Sequence, residues 1–264
     1  MFFARIILVA ALGLSFAPPV GARTIIDSAG RTVEIPNEVT TIFAPGPPAS
    51  ILVYALKPEA LLGWPRALRD YEKPYIAEAY RDLPATGRLT GRGGEANLER
   101  VLALKPDLIV DFGSVRDTYI DLADRVQEQT GIPYILIDGR FEATASSLRL
   151  VGEALGVPER GEALAQDVEA TFAALDAALG AVPENERPRV YLARGPDGLE
   201  TGLKGSINTE IIERAGGRNV ADVPGQYGLV QASPEQVIVA DPDTIITWDS
   251  TFYDRVWDDP LWAG

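Results

Sequence analysis

Arginines follow several short apolar runs that predict strands. Arg66 comes after the run at 60–64, Arg140 after the run at 134–138 and Arg194 after the run at 190–193, while Arg92 lies in a loop rich in glycine and arginine. In open α/β sheets, ligands bind outside the carboxyl ends of the strands. Guanidinium groups form paired, charge-assisted hydrogen bonds with carboxylate or oxyanion oxygens. Together the arginines predict a site for an anionic ligand, although a surface charge is the more ordinary explanation for any single one.

Aromatic residues lie near the same predicted strand ends or in loops. They are Trp64, Tyr227 and Trp248. Aromatic side chains give a ligand cleft broad contact area and can stack on cations. Tyr227 is the strongest candidate because its loop also contains Gly225 and Gly228. Packing in the core or at the rim is the alternative for each of these residues.

The chain contains no histidine and no cysteine. This excludes Ser-His and Cys-His nucleophiles, ordinary zinc sites and haem iron bound by histidine. Carboxylates, tyrosinates or ligands brought by the substrate remain for a metal. An enzyme with carboxylate chemistry is the competing class, with Asp138 and Asp249 as the acids at predicted strand ends. We expect no catalytic residue, no resident metal and no cofactor.

Charge and the first residues point to an exported protein. The chain has 24 basic and 38 acidic residues, a net charge of −14, which argues against nucleic acid or anionic lipid as a partner. Residues 1–22 combine Arg5, an apolar run and small residues ending at Ala22, which is typical of a secretory signal peptide. No later apolar run approaches the ~18 residues that a membrane span needs. We therefore expect a free, monomeric protein in the periplasm.

One long helix is predicted over residues 158–182. Apolar residues recur there at steps of four and three, which is the period of one helix face: Leu164, Val168, Phe172, Leu175, Leu179 and Val182. Pro158 suits a helix start, and Gly180 and Pro183 indicate its end. At 1.5 Å per residue the helix would be roughly 36 Å long. That length favours a linker between an N-terminal lobe at 23–157 and a C-terminal lobe at 183–264.

An internal repeat supports two similar lobes. The segment at 97–109 matches the segment at 233–245 at a constant offset, in the pairs Asn97 and Ser233, Glu99 and Glu235, Val101 and Val237, Leu102 and Ile238, Pro106 and Pro242, Asp107 and Asp243, Ile109 and Ile245. Each copy reads as a cap, an acidic first turn, a short helix, a Pro-Asp turn and a buried strand. The alternation of strands and helices predicts mostly parallel sheets. The second-lobe counterpart of strand 134–138 would fall beyond Gly264, so we expect that lobe to be incomplete.

Several strings together resemble the periplasmic binding proteins of metal-chelate ABC importers. They are DSAGRTVEIP at 27–36, ANLERVLALKPDLIV at 96–110, GIPYILID at 131–138, RPRVYLARG at 187–195 and SPEQVIVADPDTIIT at 233–247. The resemblance implies an α/β protein with two Rossmann-like lobes joined by one long, rigid helix. Members of this family serve ferric siderophores, haem and cobalamin, and some relatives serve molybdate or tungstate.

The resemblance also implies a role for Glu99 and Glu235. The matching glutamates in the family form salt bridges with arginines of the membrane subunits, while a plain helix first-turn acid is the alternative explanation. The expected function is to capture an anionic metal chelate, first of all a ferric siderophore, and deliver it to an ABC transporter permease. Molybdate or tungstate, haem and cobalamin remain alternatives within the family.

Overall fold

The computed structural model describes residues 21–90, 98–260 and 262 of the chain. The helices are α1 Pro47–Leu56, α2 Leu98–Leu104, α3 Asp117–Thr130, α4 Thr144–Ala154, α5 Pro158–Leu179, α6 Glu210–Arg214, α7 Pro234–Ala240 and α8 Ser250–Arg255. The strands are β1 Ala22–Ile26, β2 Thr32–Pro36, β3 Ile42–Phe43, β4 Leu108–Gly113, β5 Tyr134–Asp138, β6 Arg189–Ala193, β7 Glu200–Gly202, β8 Arg218–Asn219, β9 Leu229–Gln231 and β10 Thr244–Thr247. Single 3-10 turns lie at Pro58–Ala60, Lys73–Tyr75, Glu78–Tyr80, Phe141–Ala143 and Glu184–Glu186. Within the described ranges, no helix is both long enough and apolar enough to cross a membrane.

The N-terminal lobe is built on a parallel sheet in the order β3–β4–β5. All of β5 and most of β4 are buried, as expected for parallel strands with helices on both faces. The antiparallel hairpin β1–β2 turns at Gly30, whose φ is +78°, as its sequence predicts. The hairpin is tied to β5, because Ser28 donates its amide to the Leu136 carbonyl and Asp27 accepts the Leu136 amide.

The C-terminal lobe has a second parallel sheet, in the order β10–β6–β8. An antiparallel pair, β7–β9, lies beside it. Tyr191, Leu203, Val237 and Phe252 form part of its buried core. Two parallel α/β sheets on either side of α5 confirm the predicted fold class.

The internal repeat is visible in the backbone. Helices α2 and α7 are each followed by a non-glycine residue in the left-handed region, Lys105 at φ +48° and Asp241 at φ +41°. The Pro-Asp turns then make matching bonds, because Asp107 accepts the Thr41 amide through Oδ2 at 2.8 Å and Asp243 accepts the Arg189 amide at 2.8 Å. The repeat seen in the sequence therefore encodes one helix–turn–strand unit used in both lobes.

Helix α5 begins at Pro158, as its sequence predicts, and ends at Leu179, about one turn before the predicted end at Val182. Proline disfavours helical backbone in the residue before it and offers no amide of its own. Pro183 therefore excludes a helical continuation, and the Val182 amide bonds the Leu179 carbonyl in a tight turn instead.

Two glycines set the packing of α5 on α4. A Cβ added at Gly152 would lie 2.8 Å from the Gly161 Cα, and one added at Gly161 would lie 2.7 Å from the Leu148 carbonyl oxygen. No side chain fits at these distances, so the two helices touch through their backbones. The first half of α5 is thereby part of the N-terminal lobe.

The second half of α5 contacts both lobes. Phe172 stacks on Phe141 of the N-terminal lobe with ring centroids 5.9 Å apart, and the guanidinium of Arg214, from the C-terminal lobe, lies 4.4 Å from the Phe172 ring centroid. Arg214 also forms two hydrogen bonds with Asp176, at 2.8 and 2.9 Å. Glu210 accepts the Phe141 amide at 2.8 Å, which bonds the two lobes directly. The helix is thus attached to both.

The predicted strand over residues 60–64 is wrong as a regular strand. The Leu62 amide bonds the Ile42 carbonyl, whereas the Trp64 amide bonds the Pro84 carbonyl. The segment crosses from one neighbour to another and forms isolated bridges on each side instead of one continuous ladder. This crossing was not readable from the apolar run alone.

Replacing Gly152 by alanine should destabilise the protein. The new methyl group would press on the α5 backbone, and overpacking of this kind costs about 1–3 kcal/mol, partly offset by the higher helix propensity of alanine. The melting temperature should fall by roughly 2–8 °C. Gly113→Ala is the matched control, because a Cβ there meets nothing within 4 Å. Equal melting temperatures for both variants would contradict the close backbone contact.

Candidate functional site

A cavity of about 680 Å³ lies between the two lobes. Its N-terminal wall follows the carboxyl ends of β4 and β5, and its C-terminal wall comes from the loops before α6 and β9. The polar or aromatic residues that line it include Ser114, Arg116, Tyr119, Asp138, Arg140, Ser206, Asn208 and Tyr227. The structure thus brings Arg140 and Tyr227, predicted from distant parts of the sequence, to one cleft.

Arg140 enters the cavity already paired with an acid. Its Nη2 lies 2.6 Å from Asp138 Oδ2, and its Nε donates to the same oxygen at 2.9 Å. Burial alone would raise the pKa of Asp138, but the hydrogen bonds and charge of Arg140 outweigh it and hold that pKa below its ordinary value. A ligand anion at Arg140 would share the guanidinium with Asp138.

Arg194 and Trp248 lie behind the C-terminal wall. Arg194 donates through Nη1 to Asn208 Oδ1 at 2.8 Å, and its Nε lies 3.5 Å from Glu200 Oε1. Its guanidinium carbon is 4.9 Å from the ring centroid of Trp248, a cation–π contact. Arg194 therefore orients Asn208, which lines the cavity. Tyr227 reaches the cavity directly and is 80% exposed.

Arg66 and Trp64 lie in a second, N-terminal cavity of about 330 Å³. Arg66 forms a bidentate ion pair with Glu72, at 2.8 and 2.5 Å. This pair, together with the Arg69 amide, lowers the pKa of Glu72 to about 2. Trp64 is 2% exposed and donates its indole N–H to the Tyr80 carbonyl at 2.8 Å, so it is a core residue with one edge on this cavity. A ligand contact for Trp64 stays a prediction.

Sequence reasoning missed side chains in both cavities. Tyr71 and Tyr75 line the N-terminal cavity and are largely exposed, with Tyr75 at 85%. Two tyrosines four residues apart in a polar stretch were the available signal. Arg116 lines the cleft cavity and forms no ion pair within the described part of the chain. It follows the end of β4 as Arg140 follows β5, so the strand-end rule could have found it.

Three predicted site residues remain: Arg92, Glu99 and Glu235. Arg92 lies outside the described residues. Glu99 and Glu235 are both exposed in the first turns of the equivalent helices α2 and α7. Hydrogen bonds from its own amide and from Ser233 lower the pKa of Glu235, so it is ionised at neutral pH. Their docking role stays a prediction.

The two acids proposed for carboxylate catalysis have structural partners. The lowered pKa of Asp138 is opposite to what a general acid needs. Asp249 caps α8 by accepting the amides of Thr251 and Phe252, at 3.0 and 3.3 Å. Asp111 has a pKa raised by burial, but it lies inside β4, where it accepts the Tyr134 hydroxyl at 3.0 Å. Among the described residues, no three acids are grouped so as to hold a metal ion.

Known proteins of similar sequence and structure fit this architecture. A family model described as periplasmic binding protein matches residues 54–264. The vitamin B12-binding protein of Salmonella typhimurium is 33% identical over 153 residues, which are 57% of this chain and 54% of that protein. The structure of an ABC transporter solute binding protein from Sulfurospirillum deleyianum has a TM-score of 0.77 at 28% identity, covering 91% of this chain and 76% of that one.

A molybdate-bound periplasmic binding protein of Haemophilus influenzae shares the fold, with a TM-score of 0.72 at 22% identity over 92% of this chain and 79% of that one. The chain spans about half the length of the curated relatives that it matches. The family match covers most of the present chain and agrees with the resemblance found in its sequence. The chain belongs to the periplasmic binding protein family.

Proposed function

We propose that this protein captures an organic metal chelate, first of all a ferric siderophore, in the cleft between its lobes and delivers it to an ABC transporter permease in the periplasm. The observation that carries the proposal is the interlobe cavity of about 680 Å³, lined by side chains of both lobes. Ligand contacts from both lobes let binding favour one arrangement of the lobes over others. A permease can then distinguish loaded from empty protein.

The size of the cavity favours a multi-atom chelate over a bare oxyanion. Cavities of roughly 300–1,000 Å³ accommodate drug-sized ligands. Molybdate or tungstate would fill only a small part of the space between Arg140 and Tyr227. Arg116 supplies a cation that no acid of the described chain pairs with, which suits a chelate carrying carboxylate or phenolate oxygens.

Cobalamin is the second candidate, favoured by two observations. Of the two described arginines that line the cleft, Arg140 is neutralised by Asp138, so the cleft does not present a cluster of free positive charge. Tyr227 presents exposed aromatic surface in the cleft that a large, nearly neutral corrinoid could cover. The curated relative from Salmonella is named for vitamin B12.

Binding and delivery would need only small movements. Helix α5 packs through its backbone on α4 and holds the Phe141–Phe172–Arg214 stack on the other side. Such contacts favour limited rotation of the lobes over wide hinge closure. Glu99 and Glu235, one on each lobe, would then dock on arginines of the permease.

Protein purified from the periplasm should carry an organic compound together with iron. Native mass spectrometry gives the mass of the bound compound, and metal analysis of the same sample gives the element. Cobalt with a corrinoid mass would establish the second candidate. Molybdenum or tungsten without an organic partner would contradict the chelate proposal.

Arg116→Ala should weaken binding of a ferric siderophore by at least ~10-fold, because a hydrogen bond to a charged group contributes about 1.5–3 kcal/mol. Isothermal titration calorimetry with the co-purified compound measures the change. Arg125→Ala is the matched control, since Arg125 is exposed on α3, the helix that begins directly after Arg116, but does not line the cavity. Affinities within twofold for both variants would rule out charge recognition by Arg116.

Glu99→Arg combined with Glu235→Arg should abolish uptake by intact cells while the purified protein keeps its ligand affinity. Reversing both charges turns the expected attraction to permease arginines into repulsion. Uptake of the radiolabelled ligand is the measurement. Glu128→Arg with Glu186→Arg changes the net charge equally at exposed positions away from α2 and α7. Normal uptake with the Glu99→Arg, Glu235→Arg double variant would argue against specific docking. An equal loss of uptake in both double variants would do the same.

A further inference from the structure

A groove of about 590 Å³ runs along one flank of α7, apart from the interlobe cavity. Glu235, in the first turn of the helix, lines one end, and Arg189 and Arg218 line the other. Val239 lies between them and is 81% exposed. None of the residues lining this groove lines the ligand cavity.

The two arginines are placed side by side, and Asp222 lines the same groove without forming a salt bridge to either of them. Arg189 and Arg218 are register partners on the neighbouring parallel strands β6 and β8, whose backbones lie about 4.8 Å apart. Like charges on adjacent strands repel each other. Within the described part of the chain, neither guanidinium forms an ion pair, although the protein carries 38 acidic residues.

Backbone carbonyls hold both guanidinium groups in place. Arg189 donates to the carbonyls of Ala240 and Asp241 at the end of α7, where the helix dipole favours a cation. Arg218 donates through Nε to the Arg187 carbonyl at 3.2 Å. These bonds orient the side chains but leave their positive charge uncompensated. The pair is therefore arranged to meet an anion.

The opposite end of the groove carries the opposite charge. Glu235 is exposed and accepts hydrogen bonds only from its own amide and from Ser233, so its carboxylate is ionised and free of a cation in the described chain. A seven-residue helix is about 10 Å long. Glu235 and Val239 lie on α7, and Arg189 bonds the carbonyls at its end. Arg218 is beside Arg189, so these groups span roughly that distance, with Asp222 as a second acid on the groove.

We infer that the groove receives a polypeptide segment of the permease that presents a basic, an apolar and an acidic side chain in that order. The base pairs with Glu235, the apolar side chain covers Val239, and the acid reaches Arg218 and Arg189. This inference rests on the proposed docking of Glu235 and specifies what the partner must carry beside its base.

A small free anion fits this groove less well. It would satisfy the two arginines, but Glu235 and Asp222 on the same groove would repel it, and Val239 would stay in contact with water. The N-terminal lobe has a different residue at the equivalent position, because the amide that bonds Asp107 belongs to Thr41, whereas the amide that bonds Asp243 belongs to Arg189. The arginine pair thus distinguishes the C-terminal lobe from the N-terminal lobe. It would determine the orientation in which the protein docks on the permease.

Charge reversal at Arg218 tests the inference. The probe is the cognate permease reconstituted in lipid nanodiscs, and biolayer interferometry measures its affinity for ligand-loaded protein. Arg218→Glu should weaken this binding by at least ~10-fold, since close interfacial charge pairs couple strongly. Arg218→Lys should retain most of it. Arg125→Glu, an equal charge change on an exposed face of α3, should have an effect below about twofold.

Ligand affinity and melting temperature show whether each variant is folded. If Arg218→Glu is unstable, Arg218→Gln removes the charge without reversing it and should weaken binding in the same direction. Binding within twofold of the original for both variants, while Glu235→Arg abolishes it, would overturn the inference and leave the proposed function intact. If Glu235→Arg also binds normally, the proposed docking itself fails. An equal loss of permease affinity in Arg125→Glu would show a general effect of charge and would overturn the inference as well.

Discussion

The attachment of α5 to both lobes is the constraint on which the site depends. On one side, Gly152 and Gly161 bring α4 and α5 into backbone contact. On the other, Arg214 of the C-terminal lobe contacts the Phe172 ring and forms two hydrogen bonds with Asp176. Close-packed contacts of this kind shift between discrete arrangements and do not deform continuously. The helix therefore sets how far apart the two walls of the cleft stand, and so which side chains a ligand can touch at once.

Ion pairing in the two cavities decides what the arginines that line them can do. Asp138 and Glu72 hold the guanidinium groups of Arg140 and Arg66 in fixed orientations before any ligand arrives. Such preorganisation reduces the entropy lost on binding, but it also cancels most of the positive charge. Arg116 also lines the cleft, and no acid in the described part of the chain forms a salt bridge with it. The site combines oriented donors with little excess charge, which is compatible with a bulky chelate of low net charge.

The two lobes share a helix–turn–strand unit, and the interlobe cavity and the charged groove lie on different parts of the structure. Lys105 and Asp241 adopt the same left-handed backbone, and the two Pro-Asp turns make the same bonds. The carboxyl ends of the strands face the ligand cavity, whereas the flank of α7 carries the charged groove. The proposed ligand cavity and the proposed docking groove thus have different lining residues, so each proposal can be tested by mutation without touching the other site.

Most local elements, the internal repeat and the family could be predicted from the sequence. The hairpin turn at Gly30, the start of α5 at Pro158 and its end before Pro183 follow from backbone preferences of glycine and proline, which act over a few residues. The tertiary structure alone decided that Arg66 and Arg140 lie in different cavities, each beside its own acid. Ion-pair partners and shared cavities depend on side-chain directions after distant elements have packed, and no local pattern in the chain carries that information.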